Sequence, residues 1–221
     1  MIECKAKIRK PEKVLKIIEK FIETTDAPVK EIKKLTDTPF KSLIMAILST
    51  RTKDKTLIEI SKELFSRIKT PFDLDKLTEE EIDKMIYKVG FHRVKARNLK
   101  KLAKILIEKY NGEIPLKKEE LLKLPGVGIK VANVVLSKFG GDEIAVDVHT
   151  FRISKRLGWS KGKNPIEVEK DLKKLFPKNM WNKINYLLVA FGQNLCRPIS
   201  PYCSKCPIKK YCKKVNVIQS R

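Results

Sequence analysis

The sequence predicts an all-α fold, on three observations. Apolar residues recur at helical spacing along almost the whole chain, strand-like alternation is scarce, and the breaks between apolar stretches carry helix-start and helix-stop chemistry. Val14, Leu15, Ile18, Phe21 and Ile22 fall on one helix face. So do Leu43, Ile44, Ile47 and Leu48, and later Leu99, Leu102, Ile105 and Leu106. Pro11 suits a first helical turn, where its missing amide has no partner to lose. Thr78 with Glu81 three residues on spells a capping box. Breaks fall near Pro28, Pro39, Pro71, Asn111-Gly112, Pro125-Gly126, Gly140-Gly141, Gly158, Pro165 and Pro177. The expectation is about ten short helices joined by short loops, with no long linker, low-complexity tract or internal repeat.

A chain of 221 residues with 42% apolar content can bury a sizeable core, in one large domain or two small lobes. Lys and Arg number 49 against 26 acidic residues, a net charge of +23. Lysine-rich solvated surfaces usually balance Lys with Glu, and this excess is one-sided. It points to a polyanionic partner, nucleic acid ahead of an anionic membrane surface or an acidic protein. No apolar run approaches the roughly 20 residues of a membrane span, and the basic start lacks a signal-peptide core. The protein is expected to be intracellular, in the cytoplasm and associated with the nucleoid, a monomer with no membrane partner.

Residues 119–136 read as helix, tight turn, helix, with the turn Leu124-Pro125-Gly126-Val127-Gly128. Two glycines let a ligand approach the backbone without a Cβ in the way, and the amides opening the next helix carry the positive end of its dipole. A plain αα-hairpin would use Pro and Gly only to stop one helix and start another. The full turn followed by Lys130, in so basic a chain, favours a grip on DNA phosphate that reads no sequence. Leu124, Gly126, Gly128 and Lys130 are therefore candidate DNA contacts.

Chemistry on a DNA sugar would need a nucleophile for C1′ and a group to support the charge that develops there. An amine suits this, because its Schiff base makes the neighbouring C–H acidic enough for β-elimination. Lys130 stands just past the hairpin, and Asp147 follows the apolar run Ile144-Ala145-Val146 at a helix start. Taken singly, Lys130 is one lysine among many and Asp147 is an ordinary N-cap. His149 reads either as a base or as a histidine packed between helices, and the second is preferred because Lys130 and Asp147 fill the chemical roles.

Cys196, Cys203, Cys206 and Cys212 give a C-x6-C-x2-C-x5-C run. Four thiolates suit either an iron–sulfur cluster or tetrahedral zinc, and this compact run does not split into the two knuckles usual for zinc. Arg197, Lys205, Lys209, Lys210, Lys213 and Lys214 make the loop cationic. Cys4 is left over as an unliganded thiol.

Leu124 to Asn133, followed by Ile144-Ala145-Val146-Asp147-Val148-His149-Thr150-Phe151-Arg152, resembles the endonuclease III family of helix-hairpin-helix DNA glycosylases. The likeness runs colinearly from about Pro28 to Cys212 and takes in residues 48–54 and 89–96. The resemblance implies that Lys130 is the Schiff-base nucleophile, absent from single-function adenine and mismatch glycosylases, and that Asp147 is the essential carboxylate. It implies one 4Fe-4S cluster on Cys196, Cys203, Cys206 and Cys212. It also implies that Arg51 and Phe91 fill the gap left when a damaged nucleotide flips out of the duplex. Arg51 departs from the Gln expected there, which leaves opposite-base preference open; a simple phosphate contact is its other reading.

The implied fold is two helical lobes with a DNA-binding cleft between them. One is a central domain of residues 30–143 holding the hairpin; the other combines residues 1–29 and 144–221 and holds the cluster. The implied activity is a bifunctional glycosylase and abasic-site lyase acting on double-stranded DNA with oxidised pyrimidines or abasic sites. A uracil or thymine mismatch glycosylase of the same fold, and a DNA-binding module without activity, are the alternatives.

Overall fold

The computed structural model describes residues 10–221, which are helical with no strand; Cys4 lies outside the described residues. Two compact units form, Pro28–Gly141 and Asp142–Arg221 with the chain up to Ala27. The chain starts with α1 (Pro11–Glu23), part of the second of these units.

The central unit holds α2 (Pro28–Leu35), α3 (Pro39–Ser49), α4 (Asp54–Arg67), α5 (Pro71–Asp75), α6 (Glu79–Met85), α7 (His92–Tyr110), α8 (Lys118–Leu121) and α9 (Ile129–Phe139). Its organising element is α3, in which every residue from Ser42 to Leu48 is buried, as is Phe40. A helix apolar all round is a core helix, and α4, α7 and α9 pack around this one. Thr38 caps its start by accepting from the Lys41 amide at 3.2 Å. Several predicted breaks prove to be helix starts for one reason. Pro39, Pro71 and Pro165 take first-turn positions, where φ is already helical and no amide is lost. Thr78 and Glu81 form the expected capping box, and Thr70 with Asp73 forms a second that was not anticipated.

The terminal unit adds α10 (Val148–Leu157), α11 (Pro165–Leu175) and α12 (Trp181–Asn194), followed by an irregular cysteine-bearing segment. Helix α12 packs on α1 and α10, with Phe191 buried and meeting Phe21 edge-on at 6.0 Å. The buried strap Ile144-Ala145-Val146 enters α10 held from α11. The Ile144 amide donates to Glu169, and Lys173 bridges Glu169 and Glu143 at 3.0 and 2.7 Å. Burial raises the Glu169 carboxyl above its usual range, and the Lys173 ammonium opposes that rise. The strap fixes where α10 starts, and so where Asp147 stands.

Candidate nucleic-acid interface and catalytic residues

In the central unit, α8, the turn and α9 form the predicted hairpin. The Tyr110 hydroxyl donates to Glu120 at 2.7 Å, fastening α8 to the end of α7. Gly126 has φ 77°, a left-handed turn position that strains any residue with a Cβ. Gly128 is the N-cap of α9 with extended backbone, and it offers no side chain to the amides behind it. A Cβ there would meet nothing within 4 Å. The hairpin thus presents an uncapped, unobstructed helix N-terminus, the geometry in which backbone N–H groups and dipole together attract an anion. Leu124, predicted as a contact, is buried at 3% exposure and holds the hairpin from inside. Its carbonyl accepts from the Val127 amide at 3.1 Å and closes the turn.

In the first turn of α9, Lys130 donates to Ser49 Oγ at 3.0 Å, and Ser49 donates in turn to the Ala46 carbonyl at 2.8 Å. The α3–α9 packing brings the two together across 81 residues of chain. Ser49 ends α3 and is followed at once by the Arg51 turn. Arg51 is exposed with φ 55°, and Phe91, 65% exposed with φ 59°, stands ahead of α7. Both predicted gap-filling side chains therefore project from left-handed tips, a conformation that costs a non-glycine residue energy and persists only where its surroundings impose it. The surroundings here are Gly90, packed against the Arg51 carbonyl, and Lys95. The Lys95 ammonium donates to the carbonyls of Leu48 at 3.0 Å and Thr50 at 2.6 Å. Lys95 is only 6% exposed, and burial first, then the charge of Lys130, brings its ammonium down to about 8.

In the terminal unit, Asp147 is the N-cap of α10, its Oδ1 accepting from the Thr150 amide at 2.8 Å. Asn185 of α12 donates to the Thr150 hydroxyl at 3.0 Å and reaches Asp147 Oδ1 at 3.4 Å. The Asp147 side chain is half-buried, with one oxygen committed to the cap. His149 is also half-buried, its Nδ1 3.0 Å from Arg152 Nη2, a geometry in which that nitrogen accepts. Arg152 also donates to the Cys196 carbonyl, linking α10 to the cysteine segment.

Cys196, Cys203, Cys206 and Cys212 are free thiols that line one cavity with the apolar side chains of Ile153 and Phe191. Among the described residues no group of three or more His, Cys, Asp or Glu side chains is arranged to hold a metal ion. Burial pushes the Cys206 thiol up to about 11 and raises Cys212 as well, the neighbouring sulfurs adding to the effect. Arg156 of α10 wraps the segment, donating to the carbonyls of Arg197 at 2.6 Å and Pro198 at 2.7 Å. It lies 3.4 Å from Cys196 Sγ. Arg197, Lys205, Lys209, Lys210, Lys213 and Lys214 are all exposed.

Sequence reasoning passed over Ser49, Lys95 and Asn185, whose partners lie far away in the chain. Among the described residues, no helix is long and apolar enough to cross a membrane.

Residues 44–178 match the model of the HhH-GPD superfamily of base excision DNA repair proteins. Endonuclease III of Thermotoga maritima is 45% identical over 175 residues, covering 79% of this chain and 82% of that protein. The solved structure of a non-covalent endonuclease III–DNA complex superposes with a TM-score of 0.82 at 38% identity, covering 94% of this chain and 95% of that one. The structure of a trapped endonuclease III–DNA covalent intermediate has the same score and identity, over 94% and 96%.

Proposed function

The chain belongs to the endonuclease III family within the HhH-GPD superfamily of base excision DNA repair proteins, and from that premise we propose how its residues divide the work. The protein is a bifunctional DNA glycosylase and abasic-site lyase of base excision repair, and its partner is damaged double-stranded DNA. Its substrates are oxidised pyrimidines, and it cuts 3′ to the site from which the base is removed.

The hairpin grips a backbone phosphate through the amides that open α9, with Gly126 making the turn and Gly128 clearing the approach. Arg51 and Phe91 enter the duplex on their left-handed tips and hold the target nucleotide out. The Lys130 amine attacks C1′, the C1′–N bond breaks, and the base leaves with the bonding pair and a proton. The C1′–O4′ bond then breaks, O4′ takes up a proton, and the opened sugar is left as a Schiff base that acidifies C2′–H. Loss of that proton expels the 3′ phosphate, and water then frees the lysine. Asp147 supports the positive charge at C1′ and assists proton transfer, its orientation held by Thr150 and Asn185.

The four thiols fit one 4Fe-4S cluster. They are free, they share a cavity, and burial disfavours the anionic form of Cys206 and Cys212 without a cationic centre to offset it. Cys196, Cys203, Cys206 and Cys212 would hold the cluster, which would fix the shape of the cationic loop. Iron and sulfide analysis distinguishes this from zinc.

The observation that carries the reading is Lys130 in the first turn of a helix with an open N-terminus, hydrogen-bonded to Ser49. Borohydride reduction on a duplex with one oxidised thymine tests it. The native chain is expected to trap covalently and Lys130→Ala is not; absence of an adduct with folded native protein overturns the lyase assignment.

A further inference from the structure

We propose that Lys95 is a positioning residue for the lysine nucleophile, its ammonium fixing the end of α3 so that Ser49 meets Lys130 and Arg51 stands on its turn. The inference rests on the role given to Lys130 above. The Leu48 and Thr50 carbonyls that Lys95 ties flank Ser49, the partner of Lys130. These carbonyls lie at the C-terminal end of a core helix; the Thr52 hydroxyl donates to Leu48 at 2.8 Å, and Lys95 supplies from α7 a charged donor shared by both carbonyls. The same bond to Thr50 precedes Arg51, whose positive φ needs an external restraint.

The charges around Lys95 make it more than a peg. Helices α5 and α6 pack on α7, and three of their carboxylates each pair with a different side chain of α7. Asp83 lies 2.5 Å from His92, Glu79 3.4 Å from Arg97, and Asp75 2.8 Å from Lys100. Lys95 instead turns inward to α3, with carbonyl dipoles as its partners and the Lys130 charge as its charged neighbour. Repulsion between two ammoniums is mutual. A charged Lys95 therefore favours the neutral amine that Lys130 needs in order to attack.

The test is the pH profile of single-turnover borohydride trapping on a duplex with one abasic site, with full-length native protein and Lys95→Met at saturating enzyme. Loss of the neighbouring charge should move the acid limb of the profile about one pH unit toward alkaline and slow trapping about tenfold below it. DNA affinity and circular dichroism, read alongside, separate this from lost binding or lost structure. A merely structural lysine would lower the melting temperature without moving the limb. A folded Lys95→Met with the native profile overturns the proposal, whereas a native chain that never traps overturns the function beneath it.

Should Lys95→Met fail to fold, the native fold can be read directly. With 13C-labelled lysine, the Lys95 Cε resonance should titrate well below an ordinary lysine and move upward in Lys130→Ala. A Lys95 that titrates identically in both proteins would exclude the coupling.

Discussion

The carbonyl oxygen of Arg51 lies against Gly90 so closely that a Cβ built on that glycine would stand nearer than real Cβ contacts allow. The tip carrying Arg51 and the tip carrying Phe91 are thereby packed back to back, and each is left-handed.

Gly90→Ala must therefore displace backbone rather than a flexible side-chain end. The variant is expected to lose roughly 1–3 kcal/mol of stability, the usual cost of overpacking. Excision should fall more than affinity for undamaged duplex, because the hairpin proposed to grip phosphate lies elsewhere in the same unit. Chemical denaturation and single-turnover kinetics give the two numbers, and a variant with native excision would show that the tips act independently.

Local chemistry was legible in the sequence, and long-range contact was not. Pro39, the Thr78–Glu81 box and the glycines of the hairpin work within one turn of chain, so their types and spacing announce them. The left-handed backbone of Arg51 and Phe91 had no such signal, since neither residue favours it and tertiary packing imposes it. Lys95 was one lysine in a lysine-rich chain until the fold set it on carbonyls 45 and 47 residues away. Asn185, 38 residues beyond Asp147, was hidden for the same reason. Leu124 was picked out by its place in the motif, and its buried side chain holds the hairpin from inside.

Gly128 separates binding from folding. Its backbone is extended and a Cβ there meets nothing, so Gly128→Ala should leave the melting temperature unchanged. If the α9 amides approach a phosphate, the added methyl group obstructs that approach. Affinity for abasic duplex should then drop several-fold, about 1 kcal/mol, the scale of one hydrogen bond. Native affinity should itself fall steeply with salt, as bound phosphates release counterions. Undiminished binding by Gly128→Ala would remove the hairpin from the interface.

The N-cap role of Asp147 and the catalytic role proposed for it can be divided by substitution. As N-cap it accepts from the Thr150 amide, which asparagine does equally well. Asp147→Asn should stay folded, with stability within about 0.5 kcal/mol of native, yet excise at least 100-fold more slowly for want of the carboxylate charge. Asp147→Ala should lose the cap as well, at about 1 kcal/mol. Equal excision by the native chain and Asp147→Asn would reduce Asp147 to a cap alone.

Two lysines, Lys95 buried and Lys138 half-buried, should shape the alkaline behaviour of the central unit. Burial brings Lys138, like Lys95, down to about 8. Lys138 donates to the Thr36 hydroxyl at 2.6 Å and to the Thr36 and Lys33 carbonyls at the end of α2. An unfolded lysine keeps its proton to about pH 10.4, so between that value and 8 the unfolded chain holds more protons than the folded one. Stability therefore rises with pH through this window, and the cost of burying the charged forms is fully present below it. Lower net positive charge would also raise stability there, so the comparison that isolates one lysine is native protein against Lys138→Met. The melting temperature of the native chain should climb from pH 7 to 10 more steeply than that of the variant. Parallel curves would mean that Lys138 keeps its proton as an ordinary surface lysine does.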